Sequence, residues 1–514
     1  MNDNEFAYDR VPYPSYTFPQ TRPDSLAVLA AINGMKPTPP DKCRVLELGC
    51  GDGANLLSFA YVLPGSEFVG VDLSAVHIAD GKASAEQLDL SNISLIHEDV
   101  MNFSREVYGE FDYVIAHGLY SWVPEFVRAK VLQIYAECLA PHGVGYISYN
   151  TYPGCRLREV AWGMLRFHTR SIGDPMEKVE AGTAFVKSLS EVIDPNSLYQ
   201  AVLKAELAHF AERTPENIFH DDFADINQPF YFHEFVSQIR PHGLQFLSEV
   251  GAFWTENSSF PADVERKLDE FCPDLIRREQ YVDFLTNRRF RSSLICRDDV
   301  PLNREPEPDI LRDFYVASQV SPQSTAPRIS DATMETFLAA EGGSIESNHP
   351  LTKAALIYLE QVWTRCIPFD ELIKNAARLI RTTSETLDSV EIQKASANLL
   401  EFVKSGHVYL HRYQPTFASS PGQFPKSSLF ARWQIQRESE IVTSLSGMGF
   451  KPDSDFMRLV MSLLDGTRDR AALIAKIKAK TEVEAPDKAK YESELPRMVE
   501  AELNEMAKLG LLIQ

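Results

Sequence analysis

The sequence predicts an α/β protein: a largely parallel sheet covered by helices and interrupted by helical insertions, then an α-rich C-terminal region with winged-helix-like units. Three observations predict it. Short apolar strand patterns alternate with helix patterns between residues 43 and 149. A loop with three alternating glycines, Gly49-Cys50-Gly51-Asp52-Gly53, joins the first strand to the first helix. Beyond the proline-rich boundary Pro301-Leu302-Asn303-Arg304-Glu305-Pro306-Glu307-Pro308-Asp309, the patterns become mainly helical. Strand–helix alternation of this kind builds a parallel sheet buried on both faces.

Residues 8–23 are dense in proline and aromatic side chains. Proline fixes φ and restrains its predecessor, so this is an extended arm, packed on the core or lying over a ligand as a lid. A short helix follows over 25–32. Strands are expected at 43–48, 67–72, 93–97, 111–116 and 144–149, with helices at 56–63, 75–88 and 124–139. Helices are then expected at 156–169, 176–192, 198–213 and 230–239. Strands at 244–250 and 290–296 complete the same sheet, which makes 156–228 and 253–289 helical insertions. An antiparallel pair closing a five-strand parallel sheet separates methyltransferase-like sheets from dinucleotide-binding ones.

The C-terminal part contains a loose internal repeat. Helices at 351–362, 369–379 and 389–403 lead to a strand at 407–413; helices at 455–464, 469–477 and 492–509 lead to 511–513, with a loop at 415–426 between the units. Three helices and a short strand suggest winged-helix-like units. The domains are therefore expected at 1–300, 301–430 and 431–514. The recognition-helix candidate Ser389-Val390-Glu391-Ile392-Gln393-Lys394 lacks the basic reading face of a DNA binder. Packing, dimerisation or partner docking suits these units better, and a homodimer is compatible with them.

Composition narrows the function. A net charge of −21 over 514 residues argues against a nucleic-acid partner or an anionic membrane surface, both of which need a basic face. The seven cysteines are scattered, with no CxxC or Cys/His cluster, so neither a disulfide framework nor a metal site is expected. The first residues lack a signal peptide's basic and apolar regions, and no apolar run approaches the roughly 20 residues of a membrane span. The expectation is a reduced, cytoplasmic protein without stable membrane insertion.

Gly49 to Ala54 also satisfies G-x-G-x-x-A, so by itself the loop fits a dinucleotide. Its neighbours tilt the reading. Glu47 ends the first strand, where a carboxylate discourages a pyrophosphate and suits a cation. Asp72 ends the second strand, where a carboxylate can accept both ribose hydroxyls. Glu98-Asp99 follows the third strand, within reach of an adenine amino group. S-adenosyl-L-methionine (AdoMet) has the matching sulfonium, amine, ribose and adenine, and no phosphate. The expected donor set is Glu47, Gly49, Gly51, Gly53, Asn55, Asp72, Leu73, Glu98, Asp99 and His117.

Methyl transfer depends mostly on holding nucleophile and methyl in line. The loops after strands four and five, Ala116-His117-Gly118-Leu119-Tyr120-Ser121-Trp122-Val123 and Tyr149-Asn150-Thr151-Tyr152-Pro153-Gly154, are unusually aromatic. Aromatic faces attract a sulfonium or alkylammonium and desolvate a lysine. Tyr120, Trp122 and Tyr152 are therefore the expected acceptor pocket, with Asn150 orienting the amine or the donor and His117 a contact rather than a base.

Four stretches carry a family resemblance: Pro12-Tyr13-Pro14-Ser15 with Gln20-Thr21-Arg22-Pro23, Glu47 to Asn55, Ala116 to Val123, and Tyr149 to Gly154. Together they resemble bacterial class I methyltransferases with a methyltransferase regulatory domain, among them rickettsial protein lysine methyltransferases that act on an outer-membrane surface protein. Tyr231-Phe232-His233-Glu234-Phe235 and 281–291 resemble the regulatory segment, expected at about 215–297; Leu464-Asp465-Gly466-Thr467-Arg468-Asp469 resembles the C-terminal winged helix. The resemblance implies a class I methyltransferase Rossmann-like sheet, AdoMet as donor and a protein lysine as acceptor. Two other functions fit the residues: methylation of a small molecule or cell-envelope component, and a non-catalytic AdoMet-sensing module.

Overall fold

The computed structural model describes residues 7–13, 16–250, 260–339, 342–381, 387–481 and 485–513. Seven strands form the central sheet: β1 (Arg44–Leu48), β2 (Glu67–Asp72), β3 (Ile93–His97), β4 (Phe111–Ala116), β5 (Leu139–Asn150), β6 (Leu244–Glu249) and β7 (Phe290–Arg297). Their order is β3-β2-β1-β4-β5-β7-β6. The first five pair in parallel; β7 runs antiparallel to both β5 and β6. All seven expected strands are present, and the antiparallel closure is as expected. The fifth begins five residues early, at Leu139, because Phe111 pairs with Leu139 before a register shift restores the ladder at Tyr113–Val144.

The sheet is buried on both faces, as parallel sheets are. Leu46, Val114 and Ile147 join Phe232 and Phe235 in one core, while Val45, Tyr113, Ile115 and Tyr146 join Leu56 and Phe59 in the other. The helices before the first insertion are α1 (Ala7–Arg10), α2 (Pro23–Ile32), α3 (Ala54–Val62), α4 (Ala75–Gln87), α5 (Arg105–Tyr108) and α6 (Glu125–Cys138). In α2 every residue except Ser25 is buried. Leu26 and Leu29 pack into the sheet core, whereas Val28, Ala31 and Ile32 pack into the core of the following region. A helix apolar all round is one buried on every side.

The first insertion contains α7 (Cys155–Thr169), α8 (Pro175–Val192), α9 (Leu198–Ala211) and α10 (Pro215–Asp222). The last of these was not expected. Thr214 caps it by accepting from Asn217 N–H, and Pro215 suits its first turn. Next come α11 (Phe232–Ile239), α12 (Ala262–Phe271) and α13 (Leu275–Thr286). The second expected insertion, 253–289, lies partly outside the described residues.

Helices α14 (Pro350–Gln361), α15 (Phe369–Leu379) and α16 (Ser389–Lys404) form the first C-terminal unit; α17 (Leu429–Gln436) precedes α18 (Asp455–Leu463), α19 (Arg470–Lys480) and α20 (Ala485–Lys508) of the second. Short strands accompany them: β8 (Tyr315–Ala317), β9 (Ser321–Pro322), β10 (Glu335–Leu338), β11 (Ser344–Ser347), β12 (Ile367–Pro368), β13 (Tyr409–His411), β14 (Val442–Thr443) and β15 (Gly449–Phe450). Most of these escaped the sequence, since two to four residues are too few for a period-two pattern. The second unit docks on the catalytic sheet's helices: Phe430 and Trp433 pack with Leu57 and Leu88, and Arg437 pairs with Asp80 at 2.8 Å.

Candidate active site

A cavity of about 740 Å³ opens at the carboxyl ends of β1, β2, β4 and β5, where open α/β sheets bind ligands. The volume is ordinary for a small-molecule site. Its donor half is built by the glycine loop. Gly49 and Cys50 donate their N–H groups to Val71 O at 2.8 and 3.2 Å, fixing the loop against β2. Gly51 N–H donates to Asp72 Oδ2 at 2.8 Å, and Ser74 N–H to Asp72 Oδ1 at 2.8 Å. Each Asp72 oxygen keeps a lone pair for a ribose hydroxyl. Gly51 sits at φ +56°, and the nearest atom to a Cβ built there would be His77 Nδ1, 4.0 Å away. The glycine thus leaves room where a ligand approaches the backbone.

Glu47 is 3% exposed; Oε1 accepts from Asn55 Nδ2 at 3.0 Å, and Oε2 has no hydrogen-bond partner among the described residues. Burial raises its pKa to about 8, with Asp52 and Asp72 pushing the same way and the Asn55 bond opposing. A buried carboxyl group that has an orphan oxygen and is held protonated by its surroundings ionises when a cation binds beside it. AdoMet, with its sulfonium and α-amino charges, fits this donor set; a pyrophosphate does not. Asp99, Leu73 and Met101 extend the same wall beyond the ends of β2 and β3.

Asn55 also lines the cavity, but protein groups use both of its N–H donors and one lone pair of Oδ1. Besides Glu47, Nδ2 donates to Thr21 Oγ1 at 2.9 Å, and Oδ1 accepts from Phe18 N–H at 2.9 Å. It ties the N-terminal arm to Glu47. The arm's Tyr13, Tyr16 and Phe18 line the cavity, which favours the lid over simple packing. Phe18 lies 3.8 Å, centroid to centroid, from His117. Burial lowers the His117 pKa to about 4, so the ring is neutral near pH 7; Nδ1 lies 2.9 Å from Tyr146 OH. A neutral imidazole packed at a tilt against Phe18 fits a contact better than a base.

Trp122 and Asn150, expected on the acceptor side, line the cavity with Val123, Phe126 and Phe290. Trp122 Nε1 is buried without a partner among the described residues. Asn150 is held by the segment that follows the first insertion: Phe230 N–H donates to Asn150 O at 3.0 Å, and Asn150 Nδ2 donates to Asn227 Oδ1 at 2.7 Å.

Four expected site residues lie off the cavity wall. Tyr120 is fully buried among Tyr149, Phe230 and Phe235, its hydroxyl donating to Gln238 Oε1 at 2.6 Å. Tyr152 turns onto Tyr231, under the Arg156 guanidinium, and donates to Glu159 Oε1 at 2.5 Å. Both side chains are packing groups rather than pocket walls. Glu98 accepts from Tyr108 OH at 2.7 Å, leaving Asp99 as the carboxylate on the wall. Gly53 starts α3 in the left-handed region over Leu95 and shapes the loop from behind. Sequence reasoning missed Tyr13, Tyr16, Phe18, Arg158, His209, Asp221 and Arg289, which line the cavity from the arm, the insertion and the start of β7. The aromatic density of the arm was the available signal; nothing in the sequence pattern marked the insertion residues.

Family models match three segments: "Methyltransferase domain" at 45–143, "Predicted methyltransferase regulatory domain" at 214–297, and "PKMT, C-terminal winged helix domain" at 424–511. The uncharacterised protein RP789 of Rickettsia prowazekii (strain Madrid E) is 30% identical over 488 residues, covering 91% of this chain and 85% of that one. RP028 of the same organism is 32% identical over 245 residues, 48% of this chain and 98% of the relative. Among solved structures, PKMT2 from Rickettsia typhi in complex with AdoHcy matches at TM-score 0.83 and 26% identity, covering 98% of this chain and 100% of that one. The buried Glu47 beside the glycine loop, the mixed seven-strand sheet and these likenesses converge: the chain belongs to the bacterial class I AdoMet-dependent methyltransferases that carry a methyltransferase regulatory domain and a PKMT-type C-terminal winged helix.

Proposed function

We propose that the protein methylates lysine side chains of a protein substrate, and does so in the cytoplasm. The observation that carries this reading is the likeness to PKMT2 from Rickettsia typhi, which runs through the insertions and the C-terminal units as well as the donor domain, joined to the loop motifs that resemble protein lysine methyltransferases. The cavity supports it: Tyr16, Phe18 and Trp122 offer aromatic faces to an alkylammonium, each worth about 0.5–2 kcal/mol of cation–π attraction.

When bound, AdoMet supplies the methyl group on its sulfonium. Glu47 balances the donor's positive charge, Asp72 holds the ribose and Asp99 the adenine. Gly49 and Gly51 let the donor reach the backbone, with Leu73 alongside. Asn55 sets Glu47 and the arm, and neutral His117 closes the donor's flank beneath Phe18. Trp122 and Asn150 bound the acceptor's path. The division into 1–300, 301–430 and 431–514 belongs to this reading, the last two parts serving partner docking or a homodimer contact.

Incubation with radiolabelled AdoMet and fractionated lysate tests it. Acid-stable label recovered from protein as methyl-lysine is the expected result. Label confined to metabolites or to envelope saccharide and lipid would overturn the lysine reading, and cofactor binding without transfer to any fraction would point to an AdoMet sensor.

A further inference from the structure

The insertion places a carboxylate in the acceptor half of the cavity. Asp221, near the end of α10, lines the cavity with Asn150. Its Oδ2 accepts from Arg213 at 2.5 Å; among the described residues no group hydrogen-bonds to Oδ1. Asn150 is 2% exposed, and with Nδ2 committed to Asn227 its Oδ1 accepts no hydrogen bond among the described residues. Asn227 links the two: its Nδ2 donates to Asp221 O at 2.8 Å while its Oδ1 accepts from Asn150 at 2.7 Å. Two vacant acceptors on one wall, held by one bridging amide, suit a ligand with at least two N–H donors.

Cations stand on this wall and behind it, and they are already matched. Arg158 pairs with Asp222 at 2.8 Å, Arg213 is shared between Asp221 and Asp222, and Arg289 lies 2.7 Å from Glu206 Oε1. That last pair meets the ion-pair distance without the alignment of a hydrogen bond. Burial lowers the His209 pKa, with Arg158 and Arg213 adding to the effect, so it brings no charge at neutral pH. Burial raises Asp221 to about 6, which leaves it ionised at neutral pH. The wall therefore presents acceptors without unpaired positive charge.

We propose that Asp221 and Asn150 form the subsite for the acceptor's terminal amine: once the ammonium has given one proton to solvent, each takes one of the two remaining N–H groups and the nitrogen lone pair faces the methyl donor. An alcohol has one O–H and leaves one buried acceptor unpaired, at a cost of about 1–3 kcal/mol. The subsite thus selects amines over hydroxyls. This deepens the lysine reading and rests on it only for the identity of the amine.

The test uses the full chain saturated with AdoHcy, titrated with n-butylamine and, separately, n-butanol, with binding followed by ligand-observed NMR. Butylamine is expected to bind wild type at least tenfold better than butanol. Asp221→Asn is expected to weaken butylamine at least tenfold and to raise the KM of a lysine acceptor similarly, with partial recovery in Asp221→Glu. AdoHcy affinity within twofold of wild type confirms that each variant is folded. Equal butylamine binding by wild type and Asp221→Asn, or no preference over butanol, overturns the subsite, as does a parallel loss of AdoHcy affinity. Asp221-dependent amine binding with no methyl-lysine in any protein fraction would leave the subsite standing and remove the protein-lysine reading.

Discussion

Substituting Glu47 by Gln separates what this residue does for the fold from what it does for the donor. In the ligand-free protein its pKa is raised to about 8, chiefly by burial, against 4.5 for an ordinary glutamate. Between those values the folded state holds a proton that the unfolded state has lost, so stability falls as pH rises through that window. At about 1.4 kcal/mol per pH unit, the penalty grows by about 3 kcal/mol between pH 5 and 7.5. Gln cannot ionise and escapes it. Chemical denaturation of the ligand-free proteins should therefore show wild type losing about that much stability relative to Glu47→Gln across the interval. AdoMet binding should show the reverse preference. A bound cation requires the carboxylate ionised, so wild type should release about 0.9 proton per AdoMet at pH 7, measured by calorimetry in buffers of different ionisation enthalpy. Glu47→Gln should release none and should bind AdoMet about 10- to 150-fold more weakly at pH 8, the loss of one charge-assisted contact of about 1.5–3 kcal/mol. Parallel pH–stability curves, together with unchanged AdoMet affinity, would refute the reasoning.

Two further outcomes are expected. Phe18→Ala uncovers His117, whose pKa of about 4 is set by burial, so its NMR titration midpoint should move up toward 6.5 by about one unit or more; an unmoved midpoint would show that Phe18 does not shield the ring. Tyr120→Phe removes the bond to Gln238 and should lower stability by about 1 kcal/mol while leaving kcat within twofold, since the ring packs in the core; a loss of turnover at normal stability would return Tyr120 to the acceptor pocket.

The donor half was legible because its chemistry is local. Gly51, Glu47 and Asp72 are set by strand ends and one loop, and strand ends follow from period and punctuation. Assigning Glu98 alongside Asp99 was beyond that logic. Adjacent residues at a strand end point to different sides, and only the tertiary contact with Tyr108 decides which one faces outward from the cavity. The same ambiguity sent Tyr120 and Tyr152 to the wrong place: an aromatic residue in a loop after a strand can roof a pocket or plug the core beneath it. Asp221 was illegible for a different reason. Its role depends on Phe230 pairing with the end of β5, which carries Asn227 to Asn150 and with it the end of α10. That contact spans about eighty residues of chain and leaves no periodic trace.

Helix α2 has a consequence for how the molecule is assembled. Its Val28, Ala31 and Ile32 belong to a core completed by residues as distant as Leu410, and Asp24 on its first turn accepts from His411 Nδ1 and Arg412 N–H, each at 2.7 Å. During synthesis the ribosome has released the whole donor sheet before that second core exists. The arm that lines the donor cavity leads straight into α2, so its foundation is laid late although its residues are made first. Cutting the chain near residue 300 would preserve Glu47, Asp72 and Asp99 yet strip Val28, Ala31 and Ile32 of their partners, and the arm would lose the anchor it runs into.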